Sequence, residues 1–286
     1  MAEPMRQGEL PGLPNRLYLA SPSRLLAWLD CPRRYRFEYL DAPRPQKAPQ
    51  RAHTSLGVAV HTALARWWDE RPERRTPSLA AALVRSSWIS AGFRDAGQSE
   101  RWRAAAAVQT AAYVERLDPA DQPLGVERSV ALKTRTTVLQ GRVDRLDDRD
   151  GELVVVDYKT SRRTPDADEA RTSLALGIYA AAAAAIFRRD CLRVELHHVP
   201  SGEVAVHRHT PESLSRKVSE AESIAADLAL ADAAHDRVMA EGPAAVDEVF
   251  APRTGPICGW CDFRAHCPQG RAAAPEKSGW AALEPD

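Results

Sequence analysis

Apolar residues recur along this chain with two different periods, and the switch between them separates helix-forming from strand-forming regions. After Ser21-Pro22-Ser23, an N-cap with proline in the first turn, Leu25, Leu26, Trp28 and Leu29 continue one apolar face. Cys31-Pro32 then breaks or restarts the helix. The stretch from Asp41 to Ala52 holds Pro43, Pro45 and Pro49 and reads as a loop. Leu56, Val60, Leu64 and Trp67 repeat at helical spacing and predict a helix over Leu56–Trp68, with two more over Ser78–Phe93 and Glu100–Leu117. From Gly125 the period shortens toward two, which predicts strands over Gly125–Leu132, Thr136–Leu146 and Glu152–Lys159. The last two form a hairpin about the turn signal Asp148-Arg149-Asp150-Gly151. Asp168–Phe187 returns to helix. Leu192–Val199 and Val204–His209 predict a second hairpin about Ser201-Gly202, and Pro211–Met239 a long final helix.

These elements imply an α/β chain of one domain: a helical lobe over residues 17–120, a sheet core over 121–210, and a long helix with a cysteine cluster over 211–270. A loose leader (1–16) and a flexible tail (271–286) flank it. At 44% hydrophobic residues the chain can bury a substantial core. No apolar run approaches the ~20 residues of a membrane span, since Ala180–Ile186 ends in Phe187-Arg188-Arg189. The N-terminus lacks the apolar core of a signal peptide, so a reducing cytoplasmic setting is expected. Net charge is zero, yet arginine far outnumbers lysine and is clumped at Arg33-Arg34-Tyr35-Arg36, from Arg71 to Arg75, and at Arg162-Arg163. Such clumps either contact phosphates or form solvated faces. No G-x4-G-K-[ST] phosphate loop occurs in the chain, which argues against an intrinsic motor.

Two sets of residues carry candidate chemistry. Cys31 stands alone near one end, and Cys258, Cys261 and Cys267 form a C-x2-C-x5-C cluster near the other. In a reducing compartment four such thiols suit an iron–sulfur cluster or zinc better than disulfides. In a zinc site His266, beside Cys267, is an alternative ligand. Cys191 has no partner motif and reads as a small buried hydrophobe. The second set is acidic. Glu152–Lys159 is an apolar strand ending in polar chemistry, where Asp157 and Lys159 share a face. Asp144 precedes it by one hairpin, and pairing brings the two carboxylates together. Close carboxylates repel unless a cation sits between them, and Mg²⁺ or Mn²⁺ suits such oxygens.

The run Gly141-Arg142-Val143-Asp144-Arg145, followed by Val156-Asp157-Tyr158-Lys159-Thr160, resembles the RecB-type branch of the PD-(D/E)XK nuclease superfamily. Gly57-Val58-Ala59-Val60-His61 is similar to an upstream G-x-x-x-H helix motif of that branch. The cysteine spacing resembles its iron–sulfur subset, which includes AddB-type helicase–nuclease subunits and CRISPR-associated exonucleases. The resemblance covers roughly Ser21 to Pro268. It implies a restriction-endonuclease-like core, with a central mixed sheet flanked by helices and a terminal iron–sulfur latch. It also implies a structural [4Fe–4S] cluster on Cys31, Cys258, Cys261 and Cys267. Asp144 and Asp157 become metal ligands, with His61 and the Tyr158 backbone carbonyl as further ligands, and Lys159 acts on the attacking water or the transition state.

Glu127 resembles a supporting acidic residue of the family, or is a solvated strand residue. Tyr179 matches a family tyrosine, but the glutamine expected four residues earlier is Ala175, a departure that puts efficiency or substrate preference in doubt. Arg33, Arg34, Tyr35 and Arg36 are DNA-binding candidates. Their aromatic neighbours either stack unpaired bases or pack beneath the cluster.

The function so implied is metal-dependent hydrolysis of DNA, with single-stranded ends as the substrate and an exonuclease mode. The setting is repair or recombination, with a separate helicase or repair partner and no membrane. Two other classes stand beside it: a DNA-binding or complex-forming module with weak or lost catalysis, and a zinc-stabilised adaptor.

Overall fold

Six strands form one mixed sheet in a computed structural model that describes residues 17–284. The expected leader at residues 1–16 lies outside the described residues. In chain order the helical lobe contains strand β1 (Tyr18–Ala20) and helices α1 (Pro22–Asp30), α2 (Pro32–Tyr39), α3 (Ala52–Asp69), α4 (Pro77–Ser86) and α5 (Ala96–Val114). The sheet continues with β2 (Gly125–Lys133), β3 (Thr137–Arg149) and β4 (Glu152–Lys159). Helices α6 (Ala167–Thr172) and α7 (Leu174–Phe187) precede β5 (Arg193–His198) and β6 (Glu203–Arg208). Helices α8 (Pro211–Glu241), α9 (Pro243–Val249) and α10 (Pro268–Ala273) complete the chain. None of these helices is long and apolar enough to cross a membrane.

β3 is the axis of the sheet. One of its edges pairs antiparallel with β2 from Val138 to Leu146. The other edge is shared: β1 pairs parallel with Thr137–Leu139, and β4 pairs antiparallel with Arg145–Arg149. Between these two partners Gln140–Asp144 has no ladder neighbour on that edge, so the sheet forks just where Asp144 and the end of β4 lie. β4 continues past the fork and pairs parallel with β5 through Lys159.

The apolar run of β4 is continuous because both of its faces are covered. Val154, Val156 and Tyr158 pack against α3, α4 and α5, whereas Leu153 and Val155 belong to a second cluster with α7. A third cluster joins α1 to α8 and α9 and buries Tyr35, Leu139, Ile178 and Phe250. Ser21 caps α1 by accepting the Arg24 N–H at 3.3 Å, as its position before proline predicts.

Several elements depart from the sequence expectation. β1 is three residues long, too short for alternation to reveal. The helix expected over Ser78–Phe93 stops at Ser86, and Trp88 and Phe93 pack on the core from an irregular segment. Asp95 then caps α5, its Oδ1 accepting the Gln98 N–H at 2.7 Å. The helix expected over Asp168–Phe187 is broken at Ser173, whose hydroxyl caps α7 through the Leu176 N–H. The tail from Arg271 is not loose as far as Glu284. Gly279 accepts the Ala52 N–H at 2.9 Å, Arg51 donates to Lys277 O, and Trp280 and Leu283 join the α3–α5 core.

A chain of charges, buried at Arg145, Glu195 and His197, runs from β3 to β5. Glu195, almost fully buried, receives both guanidinium nitrogens of Arg149 at 2.9 and 3.0 Å and contacts His197 Nε2 at 2.7 Å. Tyr113 OH meets His197 Nδ1 at 2.7 Å, and Asp147 links Arg149 to Arg145. Burial alone would raise the Glu195 carboxyl, but its hydrogen bonds from His197 and Arg149 hold it down at about 2. This contribution to stability is therefore present above the ordinary carboxylate range and is lost as pH falls from about 4.5 toward about 2. Glu195→Ala removes one partner from each of Arg149, Arg193 and His197, which keep Asp147, Glu152 and Tyr113, and is expected to cost about 1–3 kcal/mol in a urea unfolding titration at neutral pH. The difference from wild type should shrink on acidification, and a pH-independent difference would rule out the ionic origin.

Candidate metal centre

Register alone puts three carboxylates in one row across the sheet. Glu127 lies between the pairs Val126↔Arg145 and Arg128↔Val143, so it faces Asp144 from β2. Asp157 faces Asp144 from β4, one step beyond the last ladder pair Arg145↔Val156. With the ladder open at this point, the Asp144 side chain does the work of a backbone acceptor: its Oδ2 takes the Tyr158 N–H at 2.8 Å.

Glu127 adopts a left-handed backbone with φ of 46°, which a non-glycine residue holds only when neighbours fix it. Here Arg142 fixes it, donating to the Glu127 carbonyl and pairing with Oε2, both at 2.8 Å.

α3 brings His61 over the row. The helix approaches the end of β4 at Gly57, where an added Cβ would stand 3.4 Å from Thr160 Oγ1. His61 Nε2 lies 3.0 Å from the Tyr158 carbonyl, and Nδ1 faces Asp144 Oδ2 at 3.4 Å. Nε2–H donation to that carbonyl leaves the Nδ1 lone pair directed at the carboxylate site. The Tyr158 carbonyl thus orients His61 in this structure. His61, Glu127 and Asp144 offer ligand atoms that all lie within 4.8 Å of one another, and no other such group of three occurs among the described residues.

Asp157 stands beside this trio and pairs with Lys159, Nζ to Oδ2 at 2.9 Å. Apart from that ammonium the buried Oδ2 has no partner among the described residues, so the carboxylate keeps lone pairs for a cation. The residues present therefore fit a divalent ion bound by oxygen with one imidazole.

The electrostatics agree with this arrangement. Burial raises the Asp157 carboxyl; Lys159 pulls it back and Asp144 pushes it further up. Burial and the Asp144 charge likewise raise Glu127. Burial opposes charge on His61 and on Lys159, yet both are raised, His61 by Asp144 with Asp157 and Glu127, Lys159 chiefly by Asp157. Lys159 is accordingly an ammonium at neutral pH. The Tyr179 ring lies against Gly141, where an added Cβ would come within 2.4 Å of it. Burial and the charges of Asp157 and Asp144 push its phenol up to about 12.

A family model of the PD-(D/E)XK nuclease superfamily matches residues 19–268. The chain belongs to this superfamily. No curated protein matches it. The match takes in β1 through the last cysteine, so the PD-(D/E)XK nuclease domain includes the helical lobe and the cysteine segment as well as the sheet.

Within this nuclease the four cysteines at the two ends of the chain line one cavity of about 750 Å³. Gly270 N–H points at Cys267 Sγ (3.3 Å) and Arg253 N–H at Cys31 Sγ (3.4 Å). Cys191 is buried away from them, and burial pushes its thiol up to about 12. His266 is turned to the Gln46 carbonyl at 2.9 Å.

The DNA-contact candidates of α2 need correction. Tyr35 is fully buried, its hydroxyl bound by Arg24, Tyr18 and Asp232, so it stacks no base. Arg33 is buried between Asp247, Gln269 and Cys267. Arg36 is nearly buried and pairs with Asp41. Arg34 alone of the four stays substantially open, paired with Asp30.

Metal ligands must be unprotonated, and the raised His61, Asp157 and Glu127 retain protons unusually far up the pH scale. Mn²⁺ affinity measured by calorimetry is therefore expected to fall steadily from about pH 8 to about pH 5.5. Asp144→Asn should cost roughly 10–100-fold in affinity, and His61→Ala should flatten the pH dependence. A titration unaffected by either substitution would place the metal elsewhere.

Proposed function

We propose that this protein is a metal-dependent exonuclease that degrades single-stranded DNA from its ends, in the cytoplasm and in the service of repair or recombination. The observation that carries the reading is the row Glu127, Asp144 and Asp157 on neighbouring strands, with His61 above it and Lys159 beside it. A Mg²⁺ or Mn²⁺ ion bound there supplies neutralisation of phosphate charge and a more acidic water. Asp144 and Asp157 hold it, His61 assists through Nδ1, and Glu127 supports Asp144 from the other side.

Lys159 remains protonated beside Asp157, so it donates rather than accepts. Its ammonium orients the attacking water or holds the oxyanion that develops on the phosphate. The absence of a phosphate-loop motor from the sequence fits substrates that are already single-stranded, or a separate helicase partner.

Cys31, Cys258, Cys261 and Cys267 are proposed to hold a structural [4Fe–4S] cluster. All four thiols line the same cavity. Four thiolates suit such a cluster, and a lone zinc ion bound about 2.3 Å from each of them is the alternative. The N–H groups of Gly270 and Arg253 directed at sulfur stabilise thiolates in the same way for such a cluster. The cluster would latch α1 and α2 to the C-terminal segment.

Cleavage of end-labelled single-stranded DNA with Mn²⁺ or Mg²⁺, by anaerobically purified protein, tests the reading. Asp157→Ala and Lys159→Ala are each expected to lose roughly 10²–10³-fold or more in rate while DNA binding and iron content persist. A chelator should abolish cleavage. An iron-loaded, DNA-binding wild type that cleaves nothing would sink the enzyme and leave a binding module. In parallel, Cys261→Ser should lose iron and lower the melting temperature, whereas a colourless wild type with stoichiometric zinc would refute the cluster.

A further inference from the structure

The cavity that holds the cysteines has a second wall with different chemistry. Its outer side is formed by His53, Thr54 and Val58 on the exposed face of α3, and by Trp260. His53 and Trp260 meet edge to face, 5.9 Å between ring centroids and 85° between planes. The Arg51 guanidinium lies 5.3 Å over the Trp260 ring. Six cations line the cavity (Arg33, Arg34, Lys47, Arg51, Arg253 and Arg264), and all but Arg253 pair with an acid: Asp247, Asp30, Glu38, Asp262 and, for Arg264, Glu276. Arg34 and Lys47 stay partly open beside their partners and Arg253 is exposed, so these three can reach a phosphate at the rim.

The position of this wall relates it to the carboxylate row. Val58, nearly half exposed, lies one turn before His61, and residues three apart on a helix share a face. From His53 to His61 the helix rises by about 12 Å. The exposed face of α3 therefore leads from the aromatic pair directly to the site.

We propose that the outer part of this cavity is a subsite for single-stranded DNA, a few nucleotides from the scissile phosphate. A base stacks on the Trp260 face opposite Arg51 with its edge toward His53, the flanking phosphates meet Arg34, Lys47 and Arg253, and the strand runs along α3 past Val58 to His61. Stacking on aromatic side chains beside a cationic groove is how proteins hold single strands without reading their sequence. The subsite rests on the nuclease reading and deepens it by assigning the strand its path. It also moves base stacking from buried Tyr35 to a pair that lines a cavity. Charge balance for a cluster on the cysteine wall accounts for cations near sulfur, but it gives His53 and Trp260 no role.

Binding of oligo-dT to the full chain, read by fluorescence anisotropy with Ca²⁺ in place of the catalytic ion, tests the proposal. Wild type should gain affinity steeply between about four and about twelve nucleotides. Trp260→Ala is expected to lose roughly 5- to 150-fold for the longer strand and most of that length-dependent gain. His53→Ala should lose several-fold. Should Trp260→Ala disturb the cysteine segment, seen as lost iron, the exposed His53 decides the matter alone. Variants that bind the longer strand as wild type does, in a protein that cleaves DNA, overturn the subsite and leave the nuclease standing. Weakened variants in a wild type that binds but never cleaves support the subsite and overturn the nuclease. A wild type with no affinity for oligo-dT overturns the subsite directly.

Discussion

Three carboxylates occupy facing positions on neighbouring strands, and much of the local structure answers their mutual repulsion. Facing side chains in a sheet are about 5 Å apart, where two like charges repel by about 3 kcal/mol at an effective dielectric of 20. That exceeds the ~1 kcal/mol or less an exposed ion pair returns. The row is therefore held by several partners at once: Arg142 on Glu127, the Tyr158 N–H and His61 on Asp144, and Lys159 on Asp157. Even so, Glu127 and Asp157 stay raised above their ordinary range, by burial first and then by the Asp144 charge.

Tyr158 joins this row to the interior. Its N–H serves Asp144, its carbonyl orients His61, and its hydroxyl accepts the Trp68 Nε1–H at 3.1 Å inside the α3–α5 core. Arg145 lies against the same Trp68 ring and leads through Asp147 and Arg149 to Glu195. The position of the carboxylates is thus set by a buried charged network as well as by the strands. The fork between β1 and β4 on the edge of β3 gives the Asp144 side chain room to replace a backbone acceptor.

The chain closes on itself at the other end of α3. The segment after the last cysteine bonds its backbone to Ala52, so the start of α3 is pinned by residues from the opposite end of the sequence. The cysteine cavity shares that corner. One helix therefore connects the sulfur-lined wall, the aromatic pair and the histidine of the carboxylate site.

Local pattern determined much of this. Asp144, Asp157 and Lys159 were legible because a hairpin turn and a two-residue period place side chains by counting, whereas His61 was legible only through the resemblance of Gly57–His61 to a family helix motif. Strand β4 announced its burial by its unbroken apolar run. The remainder depended on which surfaces meet. Glu127 becomes part of the site only because β2 lies in register with β3 and Arg142 holds an unfavourable φ. Arg33 read as a phosphate contact and Tyr35 as either a stacking or a packing residue; α8, α9 and the C-terminal segment cover them and take up their hydrogen bonds. The break at Ser173 has a local cause, its hydroxyl capping α7 through the Leu176 N–H, which the run of apolar residues around it masked. His53 and Trp260, some two hundred residues apart, meet only because the chain ends are brought together. Spacing along one element is a property of covalent geometry, whereas contact between elements is decided by burial and charge across the whole fold.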